Sequence, residues 1–356
     1  MEPRIPREMR AVVYRGPNDL RLEQVPVPRI GRNEILVRVA TCGVCPTDIK
    51  KIQTGSVPPP RILGHETAGT VVRIGSGVTG IRIADRVALH HHVPCGTCHF
   101  CVHGDFAQCA TYLRTGVTAG FEPAGGGYAE YVKVLPFCLP GVVRIPSRNT
   151  FEEGALLEPV NTVLKAVRRL GLHHGDSVVV VGQGPIGLLF NRILALHGQQ
   201  VFGTDLVGRR RLLGRTWGAA DTWDGGDPGL GERIRRRTRG RGADAVVLTV
   251  PQEGAFHSAF DLVRRGGRIL LFAHTLRGHR TPTDLSTLCV DEKTVLGSYS
   301  SDLSLQREVA RRVFSRRLDV RPLVTHRFPL ERTSEAIALA ASASPESLKI
   351  LVEAQP

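Results

Sequence analysis

The stretch from Ser177 to Gly187 limits what this chain can fold into more than any other. Ser177 to Val181 (SVVVV) is a continuous apolar run, as expected of a strand buried on both faces of a parallel sheet. Gly182-Gln183-Gly184-Pro185-Ile186-Gly187 follows at once, and Pro185 to His197 then carries apolar residues at helical spacing. A G-x-G-x-x-G says little alone. Between a strand and a helix it is the turn that receives a dinucleotide pyrophosphate. The first glycine permits the tight turn, the second lets phosphate approach the backbone, and the third lets helix and sheet pack closely. The helix N-terminus offers free N–H groups and a partial positive charge. Pro185 suits the first helical turn, where no donor is missed.

The surrounding pattern extends that turn into a domain. Val201–Thr204, Ala245–Val250, Arg268–Phe272 and Thr294–Gly297 read as strands, and Arg209–Gly218 and Ala255–Arg264 as helices. Such alternation predicts a doubly wound parallel sheet. Asp205 ends the strand after the glycine turn, where a carboxylate accepts ribose hydroxyls and repels a 2′-phosphate, favouring NAD over NADP. Arg209, Arg210 and Arg211 follow, and they can tolerate a phosphate.

The first 150 residues have a different character. Ala11–Tyr14, Glu34–Ala40, Thr67–Ile74 and Asp85–Leu89 read as short strands separated by polar, Gly and Pro turns, which suits a small barrel. In the second of these, Ile35, Val37 and Val39 alternate inward. Within this region Cys95, Cys98, Cys101 and Cys109 have the spacing C-x2-C-x2-C-x7-C. Zinc takes four thiolates in a tetrahedron, and a closed shell of that kind is structural. A ferredoxin-type cluster would place the fourth cysteine three residues on, before proline. Here the gap is seven and Ala110 follows. Cys42, Cys138 and Cys289 lack such partners and read as packing residues.

The net charge of +14 raises the possibility of nucleic-acid binding, but the only dense basic run, Arg233 to Arg241, has no interleaved aromatics and reads as a solvated helix face. Met1 to Arg10 has no apolar core of a secretion signal, and no stretch approaches the ~20 apolar residues that cross a bilayer. The expectation is a cytoplasmic protein with neither membrane nor nucleic-acid partners.

Three further segments complete an ordered set: Thr41-Cys42-Gly43-Val44-Cys45-Pro46-Thr47-Asp48, Gly64-His65-Glu66, and Leu157-Glu158-Pro159. With the G-H-E-x-x-G-x-V pattern (His65, Glu66, Gly69, Val71), the four cysteines and the glycine turn, the chain resembles the zinc-dependent medium-chain dehydrogenase/reductase (alcohol dehydrogenase) superfamily. The resemblance is closest to its polyol (sorbitol or L-iditol) and threonine dehydrogenase branch, and it spans essentially the whole chain.

The resemblance implies an α/β protein with a GroES-like β-barrel catalytic domain, residues 1–155 and 298–356, and a Rossmann domain, 156–297, inserted between its parts. It implies catalytic zinc at Cys45 and His65, with Glu66 or Glu158 completing the shell and the choice left open. Asp48 would orient His65. Thr47 would pass the alcohol proton outward. Cofactor contacts would come from Gly182, Gly184, Ile186, Gly187, Asp205, Arg210, Ser298 and Tyr299. Lys50 stands where many relatives carry a relay histidine, and the loop from Gly116 to Gly127 would shape the substrate pocket. His90 to His92 read as strand-end residues, at least one of them packed.

The expected protein is thus a dehydrogenase of secondary alcohols (polyols, sugar derivatives or amino alcohols) with two zinc ions per chain and NAD, forming a dimer or tetramer. Threonine 3-dehydrogenase-type activity is the alternative within the family. A non-catalytic dinucleotide-binding zinc protein is the alternative outside it.

Overall fold

The computed structural model describes residues 5–90, 93–115, 125–273, 275 and 278–355. They divide into two compact units, Met1–Asn161 with Ser300–Pro356, and Thr162–Tyr299.

The first unit is β-rich. Its strands are β1 (Glu8–Gly16), β2 (Asp19–Pro26), β3 (Ile35–Gly43), β4 (Arg61–Ile62), β5 (Glu66–Ile74), β6 (Arg86–Leu89), β7 (Tyr131–Val134) and β8 (Val143–Arg144). All four strands expected here are present. β2 is a polar, half-exposed sequence that periodicity does not identify; it is a strand because it pairs with β1 from Glu8↔Pro26 to Gly16↔Asp19. The turn between them uses Asn18 at φ 57, a left-handed conformation that asparagine tolerates.

The second unit holds β9 (Ser177–Val181), β10 (Gln200–Asp205), β11 (Asp221–Asp224), β12 (Ala243–Leu248), β13 (Val263–Leu271) and β14 (Thr294–Gly297). They form one parallel sheet in the order β11-β10-β9-β12-β13-β14. This is the doubly wound arrangement expected from the alternation. Val178, Val179 and Val180 are 0 % exposed, so the apolar run is indeed covered on both faces. The first part of the basic run, to Arg237, falls on the helix Leu230–Arg237, which buries Leu230 and Ile234 and leaves its arginines outside.

The chain then returns to the first unit through β15 (Val324–Pro329) and β16 (Lys349–Glu353). β16 pairs antiparallel with the end of β3, Leu351↔Gly43 to Glu353↔Thr41. β3 also pairs with β5, Gly43 opposite Glu66. The larger sheet runs β15-β16-β3-β5-β6-β8, with β7 on β3. This register brings three distant segments to one edge: the end of β3, the start of β5 and the start of β16.

Candidate active site

The site grows from those strand ends. β3 stops at Gly43, and three residues later the helix Pro46–Thr54 begins. Cys45 is its N-cap, extended at φ −109, and Pro46 is its first residue. The helix turns Asp48, Lys51 and Ile52 inward, one face at i, i+3 and i+4 spacing. His65 and Glu66 open β5 just after Gly64, which sits at φ +93. A Cβ on Gly64 would lie 2.8 Å from Cys42 Sγ.

Cys45, His65 and Glu66 thereby meet, each offering a ligand atom within 4.8 Å of the others. The glycine of C-G-V-C has a reason the sequence alone does not reveal: a Cβ on Gly43 would come within 1.9 Å of Glu66 Oε2. The electrostatics suit a cation. Burial works against charge on His65, yet Asp48 and Cys45 outweigh it and hold the imidazole well above its ordinary range. Glu66 Oε2 is buried, with the ammonium of Lys349 2.5 Å away. Cysteine, histidine and carboxylate are the donors zinc takes in open sites.

Two groups that sequence reasoning did not single out brace this cluster. Lys349, from β16, donates to Glu66 Oε1 at 2.5 Å and to the Val44 carbonyl at 2.9 Å. Burial lowers its pKa, but Glu66 and Cys45 raise it further, so the ammonium persists. Tyr128 donates to Asp48 Oδ2 at 3.2 Å, and Asp48 Oδ1 is 3.3 Å from His65 Nδ1. Burial would raise the Asp48 pKa; His65 beside it pulls the carboxyl below its usual range. The only sequence signal for Lys349 is a charged residue inside the otherwise apolar run Leu348 to Val352.

Glu158 opens the helix Leu157–Leu170 and is 7 % exposed. It lies outside the 4.8 Å group but within electrostatic reach of His65 and Glu66. Burial, with Glu66 adding to it, pushes its carboxyl up to about 7. Thr47 is half-buried in the first turn of the helix Pro46–Thr54. Lys51 rather than Lys50 is the buried lysine, 6 % exposed, and burial lowers the pKa of both.

The four cysteines converge as their spacing suggests. Their Sγ atoms all lie within 4.8 Å of one another. Cys98 and Cys101 are 3.5 Å apart, Cys95 and Cys101 3.9 Å. A tetrahedron with zinc–sulfur bonds of ~2.3 Å has edges of about 3.8 Å, so the separations fit. Backbone and side-chain donors of Thr97 and the N–H of Cys98 hold the Cys95 thiol down at about 5, while burial and the neighbouring Cys98 push Cys101 up to about 12.

At the glycine turn, Gly182 takes φ +91 and the helix Pro185–Leu196 starts as expected. A Cβ on Gly187 would strike the Gly182 carbonyl at 1.8 Å, whereas at Gly184 it would meet nothing within 4 Å. The third glycine is therefore needed for packing, and the second faces open space. Asp205 accepts from the backbone N–H of Gln183 at 2.7 Å and of Val207 at 2.8 Å. It ties the glycine turn to the end of β10 and keeps lone pairs for further donors. Arg211 is committed to the carbonyls of Asp205 and Leu206 and to Asp224. Ile186 and Arg210 are half-buried. Ser298 follows β14, 8 % exposed, its hydroxyl buried without a partner among the described residues, and Tyr299 is 38 % exposed.

Cys42 and Cys138 are packed, and burial lifts both thiols to about 12. Cys289 departs from expectation. It is exposed, because the helix Leu285–Cys289 buries none of its residues. His90 is buried, Nε2 3.4 Å from Ser301 Oγ; His91 and His92 lie outside the described residues. Of the expected substrate loop, 116–124 also lie outside them.

Comparison with known proteins agrees with this arrangement. The model of the alcohol dehydrogenase GroES-like domain matches residues 31–146, and that of the zinc-binding dehydrogenase matches 185–315. Sorbitol dehydrogenase of Bombyx mori is 31 % identical over 355 residues, 97 % of this chain and 98 % of that protein. Sorbitol dehydrogenase of Bacillus subtilis is 29 % identical over 361 residues, 98 % of each chain. The solved structure of an alcohol dehydrogenase from Thermus sp. ATN1 superposes with a TM-score of 0.85 at 26 % identity, over 97 % of this chain and 99 % of that one. The chain belongs to the zinc-dependent medium-chain dehydrogenase/reductase superfamily of alcohol dehydrogenases, in its polyol branch.

Proposed function

We propose that this protein oxidises a secondary alcohol of a polyol or sugar derivative, delivering the hydride to NAD. The observation that carries the reading is the meeting of Cys45, His65 and Glu66 in a chain whose relatives include sorbitol dehydrogenases. Cys45, His65 and a carboxylate would hold one zinc ion, and the four cysteines a second. Zinc at the first site supplies the Lewis acidity that eases loss of an alcohol proton, and the nicotinamide supplies the hydride acceptor.

The remaining work belongs to the chain. Thr47, in the first turn of the helix that Cys45 caps, carries the hydroxyl that passes the substrate proton outward. Asp48, held by Tyr128, fixes the ring of His65. Lys349 holds Glu66 in place through an ion pair whose side chains are 6 % and 1 % exposed.

Gly184 and the N-terminus of the helix Pro185–Leu196 receive the pyrophosphate, and Asp205 the adenosine ribose. Ser298, Tyr299 and Arg210 are assigned further cofactor contacts. Preference for NAD rests on the carboxylate at Asp205 and on the engagement of Arg211 with protein acceptors. An oligomer accords with the outer edge of β14, which ends the parallel sheet and has no strand partner among the described residues, and with Leu285 and Val290 nearby in sequence, 72 % and 77 % exposed.

The test is a panel of polyols, sugar acids, inosamines and threonine, each followed by NAD reduction. Turnover concentrated on polyols or sugar derivatives supports the reading. Turnover confined to threonine reassigns the substrate, and none across the panel removes it.

A further inference from the structure

Four consecutive residues outside regular secondary structure, Tyr299 to Asp302, are each fixed by a side chain from elsewhere in the chain. Lys165 Nζ donates to the Tyr299 carbonyl at 2.8 Å. Tyr112 Oη donates to Ser300 Oγ at 2.8 Å. Ser301 Oγ is 3.4 Å from Nε2 of the buried His90. Asn161 grips Asp302 from both sides, donating to its carbonyl at 2.9 Å and accepting from its N–H at 2.8 Å. In the middle, Ser300 takes φ +62, a left-handed conformation that residues with a Cβ seldom adopt. Such a conformation persists only where the surroundings over-determine it.

What is being positioned is backbone. The Tyr299 ring is 38 % exposed while its carbonyl is pinned. The preceding residue, Ser298, has a buried hydroxyl without a partner among the described residues. A chain that secures four successive residues immediately after an unsatisfied hydroxyl is shaping that hydroxyl's surroundings.

Tyr112 is the informative member of the set. It lies three residues after Cys109, in the helix Ala110–Thr115, and packs with Cys101, Ala107 and Cys109 in the small core of the cysteine lobe. It is 2 % exposed, so burial fixes its ring and leaves the hydroxyl to do the reaching. The hydrogen bond from Tyr112 ends on the side chain of the residue that takes this left-handed conformation.

We propose that Tyr112 is a positioning residue for the cofactor: by donating to Ser300 Oγ it holds the left-handed turn that sets Ser298 and Tyr299 against the nicotinamide side of the dinucleotide. The inference rests on the assignment of Ser298 and Tyr299 as cofactor contacts.

The experiment compares the purified holoenzyme with Tyr112→Phe, Ser300→Ala, their double variant and Ser298→Ala. NADH affinity is measured by nicotinamide fluorescence, beside melting temperature, zinc content and the KM of the alcohol. Phenylalanine fills the same space, so Tyr112→Phe is expected to keep two zinc ions and its melting temperature while the NADH Kd rises about fivefold, the scale of one lost hydrogen bond. Ser300→Ala should match it, the double variant should add nothing further, and the alcohol KM should hold. An NADH Kd within twofold of wild type for Tyr112→Phe, with Ser298→Ala weakened, overturns the role of Tyr112 alone. Unchanged affinity in both variants overturns the cofactor assignment of Ser298 as well. A fall in melting temperature or zinc content accompanying the rise in Kd shows a merely structural tyrosine and also overturns the proposal.

Discussion

Lys349 Nζ lies 2.5 Å from each carboxylate oxygen of Glu66, with both side chains buried. The two residues are 283 positions apart and meet because β16 and β5 both pair with β3. Removing one partner of such a pair leaves the other charged and unsolvated, which costs far more than the pair contributes. Lys349→Met is therefore expected to lower unfolding free energy by about 3–5 kcal/mol in chemical denaturation. Lys349→Met with Glu66→Gln should recover most of it. A single variant within 1 kcal/mol of wild type, a limit of about a fivefold change in the folding constant, would show that the contact is not an energetic pair.

Thr47 is half-buried beside the cap residue Cys45. If its hydroxyl carries the substrate proton, Thr47→Ala loses that path and little else. The expected outcome is a fall in kcat of about 100-fold or more, with zinc content and NADH affinity intact. Turnover unchanged under saturating substrate would take Thr47 out of the proton route.

Asp205 ties the Gln183 and Val207 N–H groups at the end of β10, and the proposed function gives its carboxylate the adenosine ribose as well. Asp205→Ala should cut kcat/KM for NAD and raise the NADP-to-NAD ratio of kcat/KM about tenfold. A wild-type enzyme that already prefers NADP would contradict the role given to this carboxylate.

Asp244, at the start of β12, accepts from Ser177 N at 2.8 Å and Ser177 Oγ at 2.7 Å, and pairs with Arg264 at 2.6 Å. Burial would raise its pKa; the Ser177 N–H and Arg264 bring it below the ordinary 3.8. The folded value lies below the unfolded one, so its stabilisation is complete above 3.8 and is withdrawn as pH falls through the folded value. Asp244→Asn is expected to cost about 1–2 kcal/mol near neutrality, and its deficit should shrink at the acid end of a stability–pH curve. A deficit constant across that range would deny the linkage.

What was legible in the sequence was local. The glycine turn, its flanking strand and helix, and the cysteine spacing each depend on residues within about twenty positions, where propensity and ligand reach decide the outcome. Cys45, His65 and Glu66 were recognisable through family resemblance, yet their meeting depends on β3–β5 register. Lys349 and Tyr128 were not visible. Their contacts with Glu66 and Asp48 span 283 and 80 positions, and nothing about a lysine in an apolar strand or a tyrosine after three glycines names its partner. β2 escapes sequence reading for the same reason, since its polar sequence becomes a strand only by pairing with β1.

The most direct test of the account is zinc content measured beside NAD-dependent polyol oxidation, in the wild-type chain and in Cys45→Ser. Two zinc ions per chain, falling to one in the variant with turnover reduced about 100-fold or more, is the expected result. A wild-type chain with a single zinc ion, or a Cys45→Ser variant that keeps both zinc and turnover, would contradict it.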